Sequence, residues 1–484
     1  MEPGARSIVL WLGASPSTTL RGALSERGLQ LKRVNEKALT RSYPRARGLI
    51  VAFEGNVGEF VGRIRRNWKD ALNHGLTVGT VCDQRANLLD FGRVQGALPK
   101  IPVHRLIPIS QDWTRIAQLF DRHDPGPGAE KPLRLLAIPK VLSEEEKLLL
   151  KRGFADCTLL RLKLLKGGRS GAKLLLAHPV EQKKSAHRRR TMPCVIKLDD
   201  RDRIAGEVAN FSQFMEGCVP FNSRPNVDRL RGAEGSSAAM LVQDFVHRAI
   251  PLLDALKIGS PALFIASLFE CALKGCRSGV TPMHGGLVAE LYRLRVLNWS
   301  KDLDDAATFA QAHLGAKRSP KALERRLGAL GTSDFLRCTV HGDLNPGNIF
   351  VASASSDTIL IDFYKTELGP AISDPAALEV SIAFPAGDKA FSPAEERKIA
   401  ALYAPPLSHS ASGDLSAKDW WRRETIRAIR VHALAMEPRA KSPTKPTPYS
   451  IAVACYLLRF ASYADNLPRR RRALAYTLAE KLLG

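Results

Sequence analysis

The sequence lacks the long apolar segment that a membrane protein needs. A transmembrane helix requires about eighteen or more consecutive apolar residues, and no such run occurs in this chain of 484 residues. The amino terminus has a short apolar stretch, Ser7–Leu12, but no basic start followed by a long apolar segment. We therefore expect no membrane span, and we interpret Ser7–Leu12 as a buried strand and not as part of a signal peptide.

Cysteine is scarce, and its spacing does not match the usual metal or disulfide patterns. The chain has eight cysteines, none of them in a CxxC pair, and the closest two are Cys271 and Cys276. Zinc sites and disulfide frameworks show closer and more regular spacing. We expect free thiols in the reducing environment of the cytoplasm.

Acidic residues are few relative to basic ones. The chain has 48 Asp and Glu against 72 Lys and Arg, a formal net charge of +24. Such a field favours anionic partners such as nucleotides, nucleic acid or acidic proteins. Part of the charge lies in two runs, Lys183–Arg190 and Arg469–Arg472, and the ordinary interpretation of such runs is a solvated surface. Nucleic-acid binding has no support beyond the charge, because no helix-turn-helix or aromatic-rich signature is present.

The length predicts two or three domains. Strands are predicted at Ser7–Leu12, Gly48–Phe53, Leu76–Val81 and Ile101–Val103, separated by segments of helix length. This rhythm predicts a parallel sheet in a doubly wound α/β domain over residues 1–123. Proline and glycine in residues 124–128 mark a linker, which we extend over residues 124–132.

The alternation of strands and helices predicted for residues 1–123 resembles that of a receiver-like or flavodoxin-like domain. A phospho-accepting receiver needs an aspartate at the end of its central strand. Here the central strand ends in Phe53-Glu54-Gly55, and Gly13-Ala14-Ser15 follows the first strand. We therefore expect a regulatory or docking module without phosphotransfer chemistry.

The segment His341-Gly-Asp343-Leu-Asn-Pro-Gly-Asn348 carries the clearest chemistry. Phosphoryl transfer needs a carboxylate that accepts the proton of a hydroxyl, and oxygen ligands that hold Mg²⁺ on the phosphates. A loop between two strands can present Asp343 and Asn348 to one pocket. The apolar run Thr358–Ile361 predicts a strand that delivers Asp362 at its end.

This HGDxxxxN pattern, followed by a strand and an aspartate, resembles the aminoglycoside phosphotransferase and choline kinase branch of the kinase-like superfamily. Gly342 stands where protein kinases usually have arginine. Within the branch, a bacterial set described as ternary-complex-associated domains is the most similar. The resemblance implies an α+β bilobal protein kinase-like fold, with an N-lobe over residues 133–250 and a helical C-lobe over residues 251–484. It also implies ATP as donor, Asp343 as base and a supporting role for His341; Asn348 and Asp362 would be the Mg²⁺ ligands.

The resemblance predicts further parts upstream, and candidates for each are present. A glycine-rich turn over the phosphates is predicted between two strand-like runs. A lysine at the end of the strand Cys194–Lys197 would contact the phosphates, and a glutamate on the next helix would pair with it. Phe245 follows the strand that leads to the hinge, whose backbone would bind adenine. The predicted nucleotide-binding residues are Gly167, Gly168, Ser170, Gly171, Lys197, Glu207 and Phe245.

Two further segments of the kinase-like region have structural interpretations. Asp374 lies in an Asp-Pro sequence that begins a family helix, and we interpret it as a helix N-cap or ion-pair partner that supports the site. Residues 178–193 insert a basic loop between two strands, which we interpret as flexible and solvated.

Two functions are consistent with these residues. The first is a phosphotransferase with a hydroxyl acceptor. Aminoglycosides are polycations, and a site that binds them needs clustered carboxylates, so a protein with a net charge of +24 is poorly suited to bind them. Asp302, Asp304 and Asp305 do form a locally acidic segment. The alternative is an ATP-binding pseudokinase-like signalling or scaffold module in a larger assembly. For either function, an acidic protein is among the candidate partners.

Overall fold

The structure is a computed structural model, and it divides into two compact units. The first comprises Met1–Ala205 and Asn226–Phe245, and the second comprises Gly206–Pro225 and Val246–Gly484. The residues that the structure describes are 6–13, 15–52, 57–81, 106–107, 113–122, 125, 128–129, 133–165, 171–181, 192–246, 248–297, 299–353, 355–385, 387, 390–407, 420–438, 446–463 and 467–484.

The first unit begins with a five-stranded parallel sheet. Its strands lie in the order β2-β1-β3-β4-β5, one of the common orders of doubly wound sheets. The strands are β1 (Ile8–Leu12), β2 (Gln30–Val34), β3 (Ala46–Ala52), β4 (Thr77–Val81) and β5 (Leu106–Ile107), and the helices are α1 (Thr18–Ser25), α2 (Glu36–Ser42), α3 (Val57–Asn73) and α4 (Trp113–Arg122).

Alternating side chains of β1 pack on the two faces of this sheet. Val9 and Trp11 belong to a core with α1 and α4, whereas Leu10 and Leu12 belong to a core with α2 and α3. Successive side chains of a strand point to opposite faces, so a strand covered by helices on both sides is apolar at every position. The predicted strand Ile101–Val103 lies outside the described residues.

A second sheet in the first unit has six strands in the order β10-β11-β9-β8-β7-β6. It is antiparallel except for the parallel pair β6 and β7. Ser143 caps the start of helix α5, where Ser143 and Glu146 cap each other's backbone N–H groups. The elements are β6 (Arg134–Leu136), α5 (Glu144–Gly153), β7 (Cys157–Leu164), β8 (Lys173–Glu181), β9 (Cys194–Asp200), α6 (Arg201–Asn210), β10 (Ala233–Glu234) and β11 (Ala238–Asp244).

Polar contacts join the two sheets of the first unit. The buried Arg152 donates hydrogen bonds to the carbonyl oxygens of Asn73 (2.6 Å) and Glu234 (2.7 Å). The Asn73 side chain accepts a hydrogen bond from the Ser236 backbone N–H at 2.8 Å. Gly75 has a φ of +80°, and a Cβ there would lie 2.3 Å from an Arg152 amino group. Only glycine fits both the backbone and the space at this position.

The second unit is mainly helical. Two three-stranded antiparallel sheets, β12-β15-β16 and β13-β14-β17, accompany its helices. The strands are β12 (Ala249–Pro251), β13 (Thr281–Met283), β14 (Phe335–Val340), β15 (Ile349–Ala352), β16 (Thr358–Leu360) and β17 (Glu367–Pro370). The helices are α7 (Leu252–Ile258), α8 (Pro261–Ala266), α9 (Lys274–Ser278), α10 (Leu287–Arg293), α11 (Lys301–His313), α12 (Pro320–Ala329), α13 (Ser373–Ala383), α14 (Pro393–Leu402), α15 (Trp420–Leu434), α16 (Pro448–Ala461) and α17 (Arg469–Leu483).

The core of the second unit contains a buried ion pair between α13 and α15. Arg430 donates hydrogen bonds to both carboxylate oxygens of Glu379, at 2.7 and 3.0 Å, and a third to the Leu402 carbonyl at 2.8 Å. The Tyr449 hydroxyl on α16 donates to the same carboxylate at 2.8 Å. The pair of Arg430 and Glu379 therefore connects four helices. Within the described residues, no helix has the length and apolar composition to cross a membrane.

The interpretation of Arg469–Arg472 as a solvated surface is wrong for Arg471 and Arg472. Arg471 and Arg472 are buried, and Arg471 stacks over Phe391 at 4.4 Å. The guanidinium of Arg472 pairs with Asp305 at 2.6 Å, and that of Arg470 pairs with Glu396. These arginines attach α17 to its neighbours, since long side chains can bury their stems while the charged heads find partners. The other basic run, Lys183–Arg190, lies outside the described residues.

Candidate active site

The hairpin of β15 and β16 brings Asn348 and Asp362 to one end. Ile349 pairs with Leu360 in antiparallel register, and one step further the Ile361 N–H donates to the Asn348 carbonyl at 3.1 Å. Asn348 precedes the first strand and Asp362 follows the second. The predicted strand therefore delivers Asp362 beside the loop that carries Asp343.

Asp374 holds the start of this loop. Its buried carboxylate accepts hydrogen bonds from the backbone N–H groups of His341 (2.7 Å) and Gly342 (3.0 Å). Burial raises the pKa of Asp374, while His341 and the two N–H groups act in the opposite direction. The interpretation of Asp374 as a helix N-cap is wrong, because α13 begins one residue earlier and has no side-chain cap.

His341 is buried and braces the loop from the other side. Its Nε2 lies 3.0 Å from the Ile361 carbonyl oxygen, and its ring packs on Phe363 with centroids 5.5 Å apart. These contacts join the loop to the residues just before and after Asp362. The ring therefore positions the loop and faces the protein interior.

Gly342 is required by the path of the chain. It has a φ of +76°, and a Cβ there would lie 2.1 Å from the Lys365 carbonyl oxygen. A side chain would therefore meet both backbone strain and a collision with fixed backbone. The close approach sets Lys365 next to the loop.

Asp343 lies at the accessible surface of this arrangement. Its backbone carbonyl accepts hydrogen bonds from the side-chain amides of Asn345 (2.9 Å) and Asn348 (3.0 Å). Its carboxylate is 33% exposed, and Oδ1 lies 3.1 Å from Nζ of Lys365 and 3.8 Å from a terminal amino group of Arg459. Two cations thus flank the predicted base.

Sequence reasoning missed both cations. Lys365 follows Asp362 by three residues, so its place after the motif was the available signal. Arg459 is on α16, far along the chain, and nothing local in the sequence connects it with Asp343.

Asn348 and Asp362 fit a Mg²⁺ ion. The Asn348 amide nitrogen is engaged by the Asp343 carbonyl, so its amide oxygen is the atom left for a ligand. Asp362 has a φ of +64°, a left-handed backbone that aspartate adopts more readily than most residues. Carboxylate and amide oxygens are the protein ligands that Mg²⁺ prefers.

The predicted nucleotide-binding residues are only partly described. Gly171 has a φ of +79° at the β7–β8 hairpin, while Gly167, Gly168 and Ser170 lie outside the described residues. Phe245 is the last residue of the first unit, and its N–H donates to the Pro193 carbonyl at 3.3 Å.

Lys197 and Glu207 lie in different units. Lys197 is half-buried in β9, opposite Leu174 and Leu241. The expectation that Lys197 ends its strand is wrong, because β9 continues to Asp200. Glu207 is buried on α6, in the part of that helix that belongs to the second unit.

Comparison with known families identifies this part of the chain. Residues 282–404 match the profile of the family described as APH, phosphotransferase enzyme family. This segment is similar to the phosphotransferase enzyme family. The phosphotransferase segment contains the loop from His341 to Asn348, Asp362 and Asp374. The six-stranded sheet and the helical second unit are the elements of a kinase-like fold, and the enzyme class that the family match indicates is that of phosphotransferases.

Solved structures that resemble the chain include three kinases of low sequence identity. The amicoumacin kinase hAmiN, in complex with AMP-PNP, Ca²⁺ and Ami, is 11% identical, with 66% of this chain and 87% of that chain covered and a TM-score of 0.33. A Plasmodium vivax ethanolamine kinase is 12% identical, with coverage of 70% and 85% and a TM-score of 0.31. An aminoglycoside phosphotransferase, APH(3″)-Id of Streptomyces rimosus, is 16% identical, with coverage of 59% and 97% and a TM-score of 0.29.

These TM-scores are too low to carry an argument, and the assignment of the phosphotransferase segment rests on the family match. Curated proteins gave no match to the sequence.

Replacing Asp374 with asparagine will loosen the loop of the phosphotransferase segment. The amide has one acceptor oxygen, so either His341 or Gly342 loses a charged acceptor for its buried N–H. We expect the free energy of unfolding to fall by about 1.5–3 kcal/mol, the range for hydrogen bonds to charged groups. Urea denaturation of the full chain measures this change in the free energy of unfolding.

The matched control is Asp254→Asn, which changes an exposed aspartate on α7 that pairs with Lys257 at 3.1 Å. We expect that control to stay within about 0.5 kcal/mol of the wild type. Equal losses for the two variants would contradict the supporting role of Asp374.

Proposed function

We propose that the chain is a cytoplasmic phosphotransferase that uses ATP and Mg²⁺ and transfers the γ-phosphoryl group to an acceptor hydroxyl. The observation that carries the proposal is the hairpin end at which Asp343, Asn348 and Asp362 meet, inside the segment that matches the phosphotransferase family. The cytoplasmic location is supported by the seven described cysteines, all of which are free.

Asp343 is the base in this proposal. Its partly exposed carboxylate accepts the proton of the acceptor hydroxyl as the oxygen–hydrogen bond breaks. The hydroxyl oxygen forms a bond to the γ-phosphorus, the bond from that phosphorus to the β–γ bridging oxygen breaks, and ADP leaves with the electron pair. The two amide contacts to the Asp343 carbonyl hold the base in place.

Asn348 and Asp362 would hold Mg²⁺ against the phosphates. When bound, the ion neutralises phosphate charge and helps to orient the transferred group. For the remaining parts we keep the roles that the family resemblance implies. Lys197 with Glu207 would form the phosphate clamp, Phe245 would lie at the adenine hinge, and Gly167, Gly168, Ser170 and Gly171 would cover the phosphates.

The acceptor in this proposal is not an aminoglycoside. Asp305, one of the acidic residues that could attract a polycation, is already paired with Arg469 and Arg472, each at 2.6 Å. Retention of the base and both metal ligands favours turnover over the scaffold alternative. We assign the amino-terminal parallel sheet to a receiver-like docking or regulatory module, on the basis of its strand order.

Calorimetric titration of the full chain with AMP-PNP tests the metal site. We expect binding that strengthens when MgCl₂ is present. Asp362→Asn replaces a charged ligand by a neutral one, and it should weaken Mg²⁺-dependent binding by about tenfold or more. The affinity for AMP-PNP in the absence of Mg²⁺ should change little, because the Asp362 carboxylate contributes to binding through the metal ion.

Asp254→Asn on α7 is again the control, since it removes one carboxylate of the same type from an exposed position. A wild-type chain that does not bind AMP-PNP, with or without MgCl₂, would overturn the proposed function.

A further inference from the structure

The charges around Asp343 carry information about the acceptor. Lys365 and Arg459 approach the same carboxylate oxygen, at 3.1 and 3.8 Å. The carboxylate of Asp362, at the same hairpin end, is assigned to the metal ion, so the Asp343 carboxylate beside two cations leaves an excess positive charge where the acceptor hydroxyl has to be placed. Such a site attracts an anion and repels a cation.

Contacts with two tyrosines hold the guanidinium of Arg459 in position. Its Nε donates a hydrogen bond to the Tyr463 hydroxyl at 2.7 Å, and its guanidinium lies 6.0 Å from the ring centroids of Tyr456 and Tyr463. The side chain is 20% exposed. These contacts fix the guanidinium at the cost of one donor.

The terminal amino groups of Arg459 remain as donors. The separation of 3.8 Å from Asp343 is too long for a hydrogen bond. Within the described part of the chain, the Arg459 side chain donates its hydrogen bond through Nε, to the Tyr463 hydroxyl. A guanidinium fork of this kind matches the paired oxygens of a phosphate or carboxylate.

Lys365 is set in place by its backbone. Its carbonyl lies against Gly342, and the turn continues with a hydrogen bond from the Thr366 N–H to the Phe363 carbonyl at 3.2 Å. The ammonium group has three donors, one of which Asp343 uses. The side chain is 44% exposed, so the other two donors can reach a ligand.

Resting on the proposed function, we propose that the acceptor carries an oxyanion, a phosphate, sulfate or carboxylate, and that Arg459 and Lys365 bind it beside Asp343. The oxyanion then anchors the molecule while its hydroxyl is presented to the base.

Binding of inorganic phosphate tests the proposal without any turnover. The full chain is first saturated with MgAMP-PNP, so that phosphate cannot enter the nucleotide site, and phosphate is then titrated at constant ionic strength by calorimetry. We expect saturable binding to the wild type. Arg459→Met and Lys365→Met should each weaken this binding by about tenfold or more. Arg459→Lys, which keeps the charge and loses the fork, should give an intermediate affinity.

The control is Arg427→Met, which removes a half-exposed arginine on α15 that pairs with Glu424 at 3.3 Å. It should leave phosphate binding unchanged. Absence of phosphate binding to the nucleotide-saturated wild type, or equal binding by all variants, would overturn the inference and leave the proposed function standing. Failure of MgAMP-PNP itself to bind would overturn the proposed function and the inference with it.

Acceptor activity in a metabolite extract gives a second measurement. The extract, from the organism that carries the gene, is separated on anion and cation exchangers, and each fraction is incubated with the full chain and γ-labelled ATP. We expect a labelled product from the anionic fraction, with a KM raised about tenfold or more in Arg459→Met and a smaller change in kcat. A product from the cationic or neutral fraction would contradict the proposal.

Discussion

We expect replacement of Asp343 with asparagine to lower the rate of phosphoryl transfer by a factor on the order of 10² to 10⁴, the usual contribution of a positioned general base. The change is nearly isosteric, and the contacts of the Asp343 backbone carbonyl with Asn345 and Asn348 do not depend on the side chain. The amide cannot accept a proton from the hydroxyl. The fall therefore reports loss of the base, and we expect AMP-PNP affinity to stay within about twofold of the wild type.

The measurement is the initial rate with whichever acceptor the wild-type chain phosphorylates, together with slow ATP hydrolysis in the absence of an acceptor. Asp254→Asn serves as the control, because it makes the same chemical change at an exposed position on α7. An Asp343→Asn chain that works at the wild-type rate would remove Asp343 from the reaction. Loss of both nucleotide binding and turnover would indicate a disturbed loop, which circular dichroism and urea denaturation would reveal.

Arg430→Met should strongly destabilise the second unit. Arg430 and Glu379 are 1% and 0% exposed, so the substitution leaves a buried carboxylate without its cation. Removal of one partner of a buried pair costs about 3–5 kcal/mol. The Leu402 carbonyl also loses its donor, so the loss should fall in the upper part of that range.

Two companion variants separate burial from charge. Arg427→Met lies on the same helix and removes a half-exposed pair with Glu424, which should cost at most about 1 kcal/mol. The double change Glu379→Leu and Arg430→Met removes both charges and should recover part of the lost stability, because the unpaired buried charge is then absent. The free energy of unfolding in urea and native-state hydrogen exchange of α13 and α15 measure these effects. Equal losses for Arg427→Met and Arg430→Met would contradict the role of the buried pair.

The site residues that could be predicted from the sequence are those that lie close together in the chain. Asp343, Asn348 and Asp362 are separated by a short loop and a hairpin, so the apolar run before Asp362 was enough to predict that they meet. The helix start at Ser143 was predictable for the same reason, because its cap is formed by residues three positions apart.

The missed features depend on contacts between distant segments. Arg459 reaches Asp343 only because α16 packs beside the loop, and no local pattern encodes that. Arg471 and Arg472 were taken for surface residues because charge runs are usually solvated. Their burial depends on partners, such as Asp305, that lie far away in sequence. The continuation of β9 past Lys197 could likewise not be predicted from the sequence, because Leu198–Asp200 is extended by pairing with the distant Ala238–Met240.

The contacts of Arg152 also affect how the protein can be divided. A fragment that begins after the linker would keep the buried guanidinium but lose the Asn73 carbonyl that accepts from it. It would likewise leave the Ser236 N–H without the Asn73 side chain. Buried polar groups without partners are costly. The catalytic portion should therefore be produced and studied with its amino-terminal sheet attached, and evolutionary gain or loss of that sheet would require compensating changes at Arg152 and Ser236.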